Sequence, residues 1–225
     1  MQRHPITERF SELRETVLPQ IMALLDEILV TASPTSSELV AMCRYHLDTG
    51  GKRLRALLPL IVAETLGTDA ASLIPFGAAC EMLHNATLVH DDLQDGDRQR
   101  RGRDTVWEHY GAPRAINLGD AMFYYAVLLL HRLDAPAPAR ERATKRLLLE
   151  TLRVIDGQER EFLLKQESAP SLADYFAMVE GKTSGLFALP IAGAAELCDA
   201  NDVVASALTE SSRHLGVLFQ IQDDV

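Results

Sequence analysis

Cysteine is scarce and scattered: Cys43, Cys80 and Cys198 are the only three in 225 residues. With no CxxC and no Cys/His cluster, there is no basis for a zinc site or a disulfide framework, and small buried thiols in a reducing compartment are expected. Aromatic residues make up only 6% of the chain while Ala, Leu, Glu and Arg recur, which favours helix over sheet. Long apolar runs are missing too. The most apolar stretch, Ala121 to Leu130, is about half of the roughly 20 residues of a membrane span and predicts a buried core helix. The opening MQRHPITERF lacks an apolar signal core, so a cytoplasmic protein is expected. A positive excess is also lacking: the formal net charge is −10, which argues against a nucleic-acid partner. Nucleotide signatures fail on inspection. A Walker A loop ending in Gly181-Lys182-Thr183 would need glycine where Phe176 stands, Gly50-Gly51-Lys52 is not followed by Ser or Thr, and there is no GxGxxG.

What is present is helical periodicity over nearly the whole length, at a size that suits one domain spanning residues 1–225. Helices are predicted from about Glu8 to Val30, from a Ser36 or Ser37 cap to Leu47, and from near Lys52 to Gly67, with Pro59 as a kink or break. A long one from about Ala71 to Asp95 stops at Gly96, and a polar, arginine-rich loop follows from Asp97 to Asp104. Later helices are expected at 113–133, 138–166, 171–180, 184–197 and from Asp202 onward. The short connections suit an all-α, antiparallel bundle.

The main chemical signal is EMLHNATLVHDDLQD. Asp91 and Asp95 are four residues apart and share a helix face, roughly 6 Å apart along the axis, with His84, Thr87 and Leu88 on the same stripe. Like charges at this spacing destabilise a bare helix, and hard divalent cations prefer such oxygens. Mg²⁺ is commonly held by one or two carboxylates plus substrate phosphates. An EF-hand is ruled out by Leu93 and Gly102 at ligand positions. Basic segments answer this acid: Arg98, Arg100, Arg101 and Arg103 just downstream, Lys52 and Arg55 at a helix start, and Gly181-Lys182-Thr183-Ser184. Together they suggest a site for highly anionic ligands. A second acidic pair, Asp223-Asp224, follows Gln220 near the end.

Taken in order, GGKRLR, ExxHxxxLxHDDxxD, RRG, GxxxAINxGD, GKT and FQIxDD resemble the trans-type prenyl diphosphate synthase family, closest in pattern to geranylgeranyl diphosphate synthases. The resemblance runs from about Gly50 to Val225. It implies an all-α bundle around a deep central cavity, a homodimer, and about three Mg²⁺ ions. Asp91 and Asp95 would hold metal bridging to an allylic diphosphate, with Asp223 approaching from the opposite helix. Arg100, Lys182, Thr183 and Gln220 fall where the family contacts the allylic substrate. Lys52, Arg55, His84 and Arg101 fall where it grips isopentenyl diphosphate. The implied reaction ionises the allylic C–O bond, lets the isopentenyl double bond attack the cation, and loses a proton to the released diphosphate, all in a dry cavity.

In that family the growing chain runs beside the helix preceding the first Asp motif. Here the flanking residues are Ala86 and Thr87, small enough to leave the shaft open, so geranylgeranyl diphosphate or longer is expected. Met122, Phe123, Tyr124 and Tyr125 are candidates for a deeper floor. Three departures stand out. Ala56 replaces the usual Pro, Glu161 stands where Asp is usual, and the second Asp motif stops before its third Asp, which implies C-terminal helices absent from this sequence. Competing readings are a non-catalytic subunit of a partner synthase, a terpene cyclase, and a phosphohydrolase using His90, Asp91, His46 and Asp120.

Overall fold

The computed structural model describes residues 5–34 and 37–224. Helices follow one another as α1 (Pro5–Thr16), α2 (Leu18–Ala32), α3 (Glu38–Leu47), α4 (Leu54–Thr65) and α5 (Ile74–Asp95). A hairpin of β1 (Gln99–Arg100) and β2 (Arg103–Asp104) comes next, then α6 (Val106–Tyr110), α7 (Ala112–Leu130), α8 (Ala137–Gln166), α9 (Leu172–Val179), α10 (Gly185–Leu197) and α11 (Asp202–Asp224). The expected all-α class holds. None of the described helices is long and apolar enough to cross a membrane.

Local chemistry explains most boundaries and the departures from expectation. The predicted first helix is two, broken at Val17, because Pro19 cannot donate a backbone hydrogen bond and is tolerated only in the first turn of α2. Ser37 caps α3 by accepting from Leu39 N at 3.3 Å; the alternative cap, Ser36, lies outside the described residues. Helix α4 starts only at Leu54, after a turn, and runs through Pro59 without a break. Ser171 and Asp174 form a reciprocal capping box at α9. The short α6 was not foreseen; Trp107 Nε1 ties it to Asp97 O at 2.7 Å.

The chain forms two compact units. One runs up to Leu57 and from Ile74 to Leu133. Its core packs α5 on α7 and α2, around Leu25, Leu29, Phe76, Met82, Leu118 and Met122. The α5–α7 approach is close at Gly119, where a Cβ would stand 2.2 Å from His90 Nε2. Tyr125, also buried, shares a 2.7 Å hydrogen bond with Ser33. Cys43 and Cys80 are buried here as expected, and burial pushes the Cys43 thiol up to about 12.

The other unit covers Leu58 to Leu73 and the chain from Asp134. Helix α10 is apolar on all sides and buried from Gly185 to Ala195, with α8 and α11 packed on it. The buried Glu150 of α8 receives Arg153 at 2.8 Å and Arg213 of α11 at 3.2 Å. A π-helical turn, Glu180–Ser184, links α9 to α10 and touches α8 at Gly157, where an added Cβ would meet Lys182 N at 2.1 Å. Gly157→Ala is therefore expected to cost about 1–3 kcal/mol through overpacking against backbone, read from urea unfolding; an unchanged midpoint would contradict this contact.

His46 of α3 is 2% exposed, and burial together with the charges of Arg100 and Arg53 pushes its pKa down to about 3. An unfolded imidazole titrates near 6.5, so the unfolded chain takes up a proton that the folded one refuses. His46 therefore favours folding fully above about pH 6.5, and stability falls on acidification by up to about 1.4 kcal/mol per pH unit. Denaturant unfolding between pH 6.5 and 4.5 should show a shallower decline for His46→Gln than for the parent. Parallel curves would rule out a buried neutral His46.

Candidate active site

The Gly50–Arg55 turn depends on positive φ angles: +80° at Gly50, +127° at Gly51 and +53° at Arg53. Gly51 is required twice over, since a Cβ there would also meet the Arg101 guanidinium at 2.5 Å. Arg101 reaches this turn by donating to Gly50 O. The arginine-rich segment expected to be a loop is in fact a hairpin, pairing Gln99 with Asp104 and Arg100 with Arg103. Arg101 (φ +53°) and Gly102 (φ +78°) supply the two left-handed residues of a tight turn. Tyr45 pins the hairpin: its hydroxyl donates to Asp104 O at 2.9 Å, and Arg103 lies 3.6 Å from its ring centre. Lys52 is exposed beside Gly51, while Arg55 is buried.

Helix α5 presents His84 half a helix from its acidic end. Burial, then the charges of Arg55 and Arg100, push the His84 pKa well down, so the ring is neutral. Arg55 lies 3.2 Å from Nε2. A guanidinium only donates, so Nε2 accepts and the ring proton sits on Nδ1. That Nδ1 is buried and meets no protein acceptor in the described structure. Asp92 turns inward, 1% exposed, and receives Arg100 Nε at 2.8 Å and a second guanidinium nitrogen at 2.5 Å. Burial raises the Asp92 carboxyl pKa against the pull of Arg100. Asp91 is half-buried and Asp95 exposed, both in the last turns of α5. They stand at the negative end of the helix dipole, where carboxylates are disfavoured and a cation is welcome.

In the second unit, Lys182 and Thr183 occupy the π-helical turn. Lys182 Nζ pairs with Glu161 of α8, and Thr183 donates to Gln220 Oε1 of α11 at 2.7 Å. Glu161, the departure from the usual Asp, thus still reaches Lys182. Glu161, Lys182 and Gln220 border a cleft of about 480 Å³ whose walls include Leu164, Leu172, Tyr175 and Met178. A cationic head against an apolar wall suits an amphiphilic anion. Asp223 is exposed one turn beyond Gln220; the side chain of Asp224 lies outside the described residues.

The predicted residues therefore fall into two groups. Lys52, Arg55, His84, Asp91, Asp95, Arg100 and Arg101 belong to the first unit, and Lys182, Thr183, Gln220 and Asp223 to the second. Ala86 and Thr87 are buried on α5. Of the floor candidates, Met122 and Tyr125 are buried, whereas Tyr124 is 72% exposed and cannot line a floor within its own unit. Among the described residues no group of three His, Cys, Asp or Glu could hold a metal ion by itself. His90 Nε2 lies 3.3 Å from Ile116 O and 3.6 Å from Asp120 Oδ1 while His46 is buried, so among the described residues the phosphohydrolase candidates form no group of three that could hold a metal ion. Two carboxylates one turn apart do fit Mg²⁺, which completes its shell with water and phosphate oxygens. Sequence reasoning missed the partners: Glu81 for Arg53, Asp92 for Arg100, and the buried Gln158, whose amide has no described partner. Only the polar character of Glu81 and Gln158 within apolar helix faces could have flagged them.

Residues 36–225 match the Polyprenyl synthetase family. Geranylgeranyl diphosphate synthase of Methanosarcina mazei is 36% identical over 204 residues, covering 90% of this chain and 62% of that protein. Geranylgeranyl pyrophosphate synthetase of Geoglobus acetivorans superposes with a TM-score of 0.87 at 32% identity, covering 94% of this chain and 69% of that structure. Polyprenyl synthase of Caulobacter crescentus, solved with calcium and isoprenyl diphosphate, gives 0.86 at 26% identity, over 96% and 64% of the respective chains. The chain thus spans less than two thirds of the M. mazei protein. With its motifs in order, its helices superposed and its family match running from residue 36 to 225, the chain belongs to the Polyprenyl synthetase family.

Proposed function

We propose that the protein is a Mg²⁺-dependent prenyltransferase that condenses isopentenyl diphosphate with an allylic diphosphate, giving geranylgeranyl diphosphate. The carrying observation is His84: a half-buried, neutral ring on the helix that bears Asp91 and Asp95, next to Arg55 and near Arg100, whose protonated Nδ1 is itself buried and meets no protein acceptor. An N–H left unpaired in that setting costs free energy until an acceptor such as a diphosphate oxygen arrives. The geranylgeranyl diphosphate synthase of M. mazei and the metal and isoprenyl diphosphate in the Caulobacter structure support the same reading.

Asp91 and Asp95 would hold Mg²⁺, which when bound supplies charge stabilisation for a departing diphosphate, and by family resemblance Asp223 of the second unit is proposed for a metal-holding role as well. Lys182, Thr183 and Gln220 of the second unit are proposed to bind the allylic head, and Arg100 of the first unit is assigned to the same substrate by family resemblance alone. Lys52, Arg55, Arg101 and the His84 Nδ1–H hold isopentenyl diphosphate so that its double bond faces the allylic carbon. Glu161 fixes the Lys182 ammonium, and apolar side chains such as Met178 and Leu164 exclude water from the cation. A homodimer suits the exposed Leu148, Leu152 and Ile155 of α8 and Tyr124 and Leu128 of α7.

Incubating the full chain with Mg²⁺, isopentenyl diphosphate and each short allylic diphosphate, then sizing the products, tests the proposal; absence of any chain elongation would refute it. Asp91→Ala and Asp95→Ala are expected to lower kcat by about 10²–10³-fold, with folding unchanged by circular dichroism. Full activity in either variant would remove the metal-holding role. Thr87→Phe should shorten the product by placing a ring where the growing chain is proposed to run. Products of unchanged length would count against an open shaft there.

A further inference from the structure

Arg53 stands between Lys52 and Arg55 in sequence, yet its side chain turns inward and is 6% exposed. Its guanidinium joins three segments. It pairs with Glu81 Oε1 of α5 at 2.9 Å, reaches Asn85 Oδ1 at 3.4 Å, and donates to Leu47 O at the end of α3. Asn85 in turn donates to Glu81 O at 2.7 Å and Oε1 at 3.0 Å, which fixes the carboxylate. The Arg53 backbone is left-handed, at φ +53°. A residue other than glycine keeps that conformation only where its surroundings over-determine it.

We infer that Arg53, seated on Glu81, is a positioning residue for isopentenyl diphosphate, an inference that rests on the function proposed above. Gly50 and Gly51 alone would leave the turn loose. The buried fork supplies a fixed point two residues later. Glu81 lies one helical turn before His84, so one ion pair sets the register between the turn and the ring that Arg55 touches. Arg101 hangs on Gly50 O and moves with the same turn. Lys52, Arg55, His84 and Arg101 therefore share one anchor, whereas Lys182, Thr183 and Gln220 are held by Glu161 and by each other in the second unit. Loss of the anchor should weaken one substrate and spare the other.

The test uses Arg53→Asn/Glu81→Gln and Arg53→Lys in the full chain. Asparagine tolerates the left-handed backbone, and glutamine leaves no unpaired buried charge. Lysine keeps the charge but cannot serve three acceptors from a fork. Calorimetric affinity for isopentenyl diphosphate without an allylic partner is measured alongside KM for both substrates. The double variant should lose about tenfold or more in isopentenyl affinity and KM, with allylic KM within about twofold; Arg53→Lys should fall between it and the parent. Unchanged isopentenyl affinity, or equal rises in both KM values, overturns the positioning role. If circular dichroism shows the double variant unfolded, Arg53→Lys decides by the same readings. A parent protein that binds isopentenyl diphosphate but transfers no prenyl group refutes the proposed function instead, and the affinity comparison still decides the role of Arg53.

Discussion

The site proposed for diphosphate heads holds several cations within each unit before any anion arrives, and neighbouring cations repel. Two guanidinium charges about 6 Å apart cost about 3 kcal/mol at an effective dielectric constant of 20. The structure meets this by tying cations to carboxylates on separate elements: Arg53 to Glu81, Arg100 to Asp92, and Lys182 to Glu161. Each pair also removes rotamer freedom from a long side chain. The field is thus set in advance, and little reorganisation remains for the ligand to drive.

The acidic end of α5 shows the complementary device. Three aspartates at a helix C-terminus oppose the helix dipole and one another. One of them, Asp92, is turned inward and neutralised by Arg100. Asp91 is half-buried and Asp95 exposed, and in the proposed function these two hold a divalent cation without surrounding it as an all-protein cage would. The proposed reaction, which would release diphosphate after each turnover, gains from such a site, because much of the coordination would belong to water and phosphate.

Local rules made much of this legible. Ser37, Ser171, Pro19 and Gly96 mark helix limits by chemistry that acts within a few residues. The four-residue spacing of Asp91 and Asp95 by itself sets them on one helix face. Lys52 was different. The helix starts later than its charge pattern suggests, because Arg53 is held left-handed by Glu81, 28 residues away. No local propensity encodes that. The hairpin at Arg101-Gly102 escaped notice for a related reason: an arginine at positive φ is disfavoured locally and is held by its reach to Gly50. What sequence reasoning lacked was therefore the set of partners, which tertiary packing alone supplies.

The Gly181-Lys182-Thr183 segment illustrates how packing redefines a short motif. As a loop it would cradle phosphate with its backbone, in the manner of nucleotide-binding sites. Here its backbone is engaged by protein instead. Gly157 of α8 lies so close that a Cβ would strike Lys182 N, and Gly216 of α11 approaches Ser184 Cα to within 2.5 Å of where its own Cβ would be. Glycines on both neighbouring helices let the main chain fill the packing space that side chains normally fill. Lys182 and the buried Thr183 take polar partners on opposite sides, Glu161 on α8 and Gln220 on α11. The extra residue accommodated by a π-helical turn widens the helix at this point, a distortion that costs helix energy and is kept where function rewards it. The phosphate contact proposed for this motif must accordingly come from its side chains, which is why a Walker-type reading fails on structure as well as on spacing.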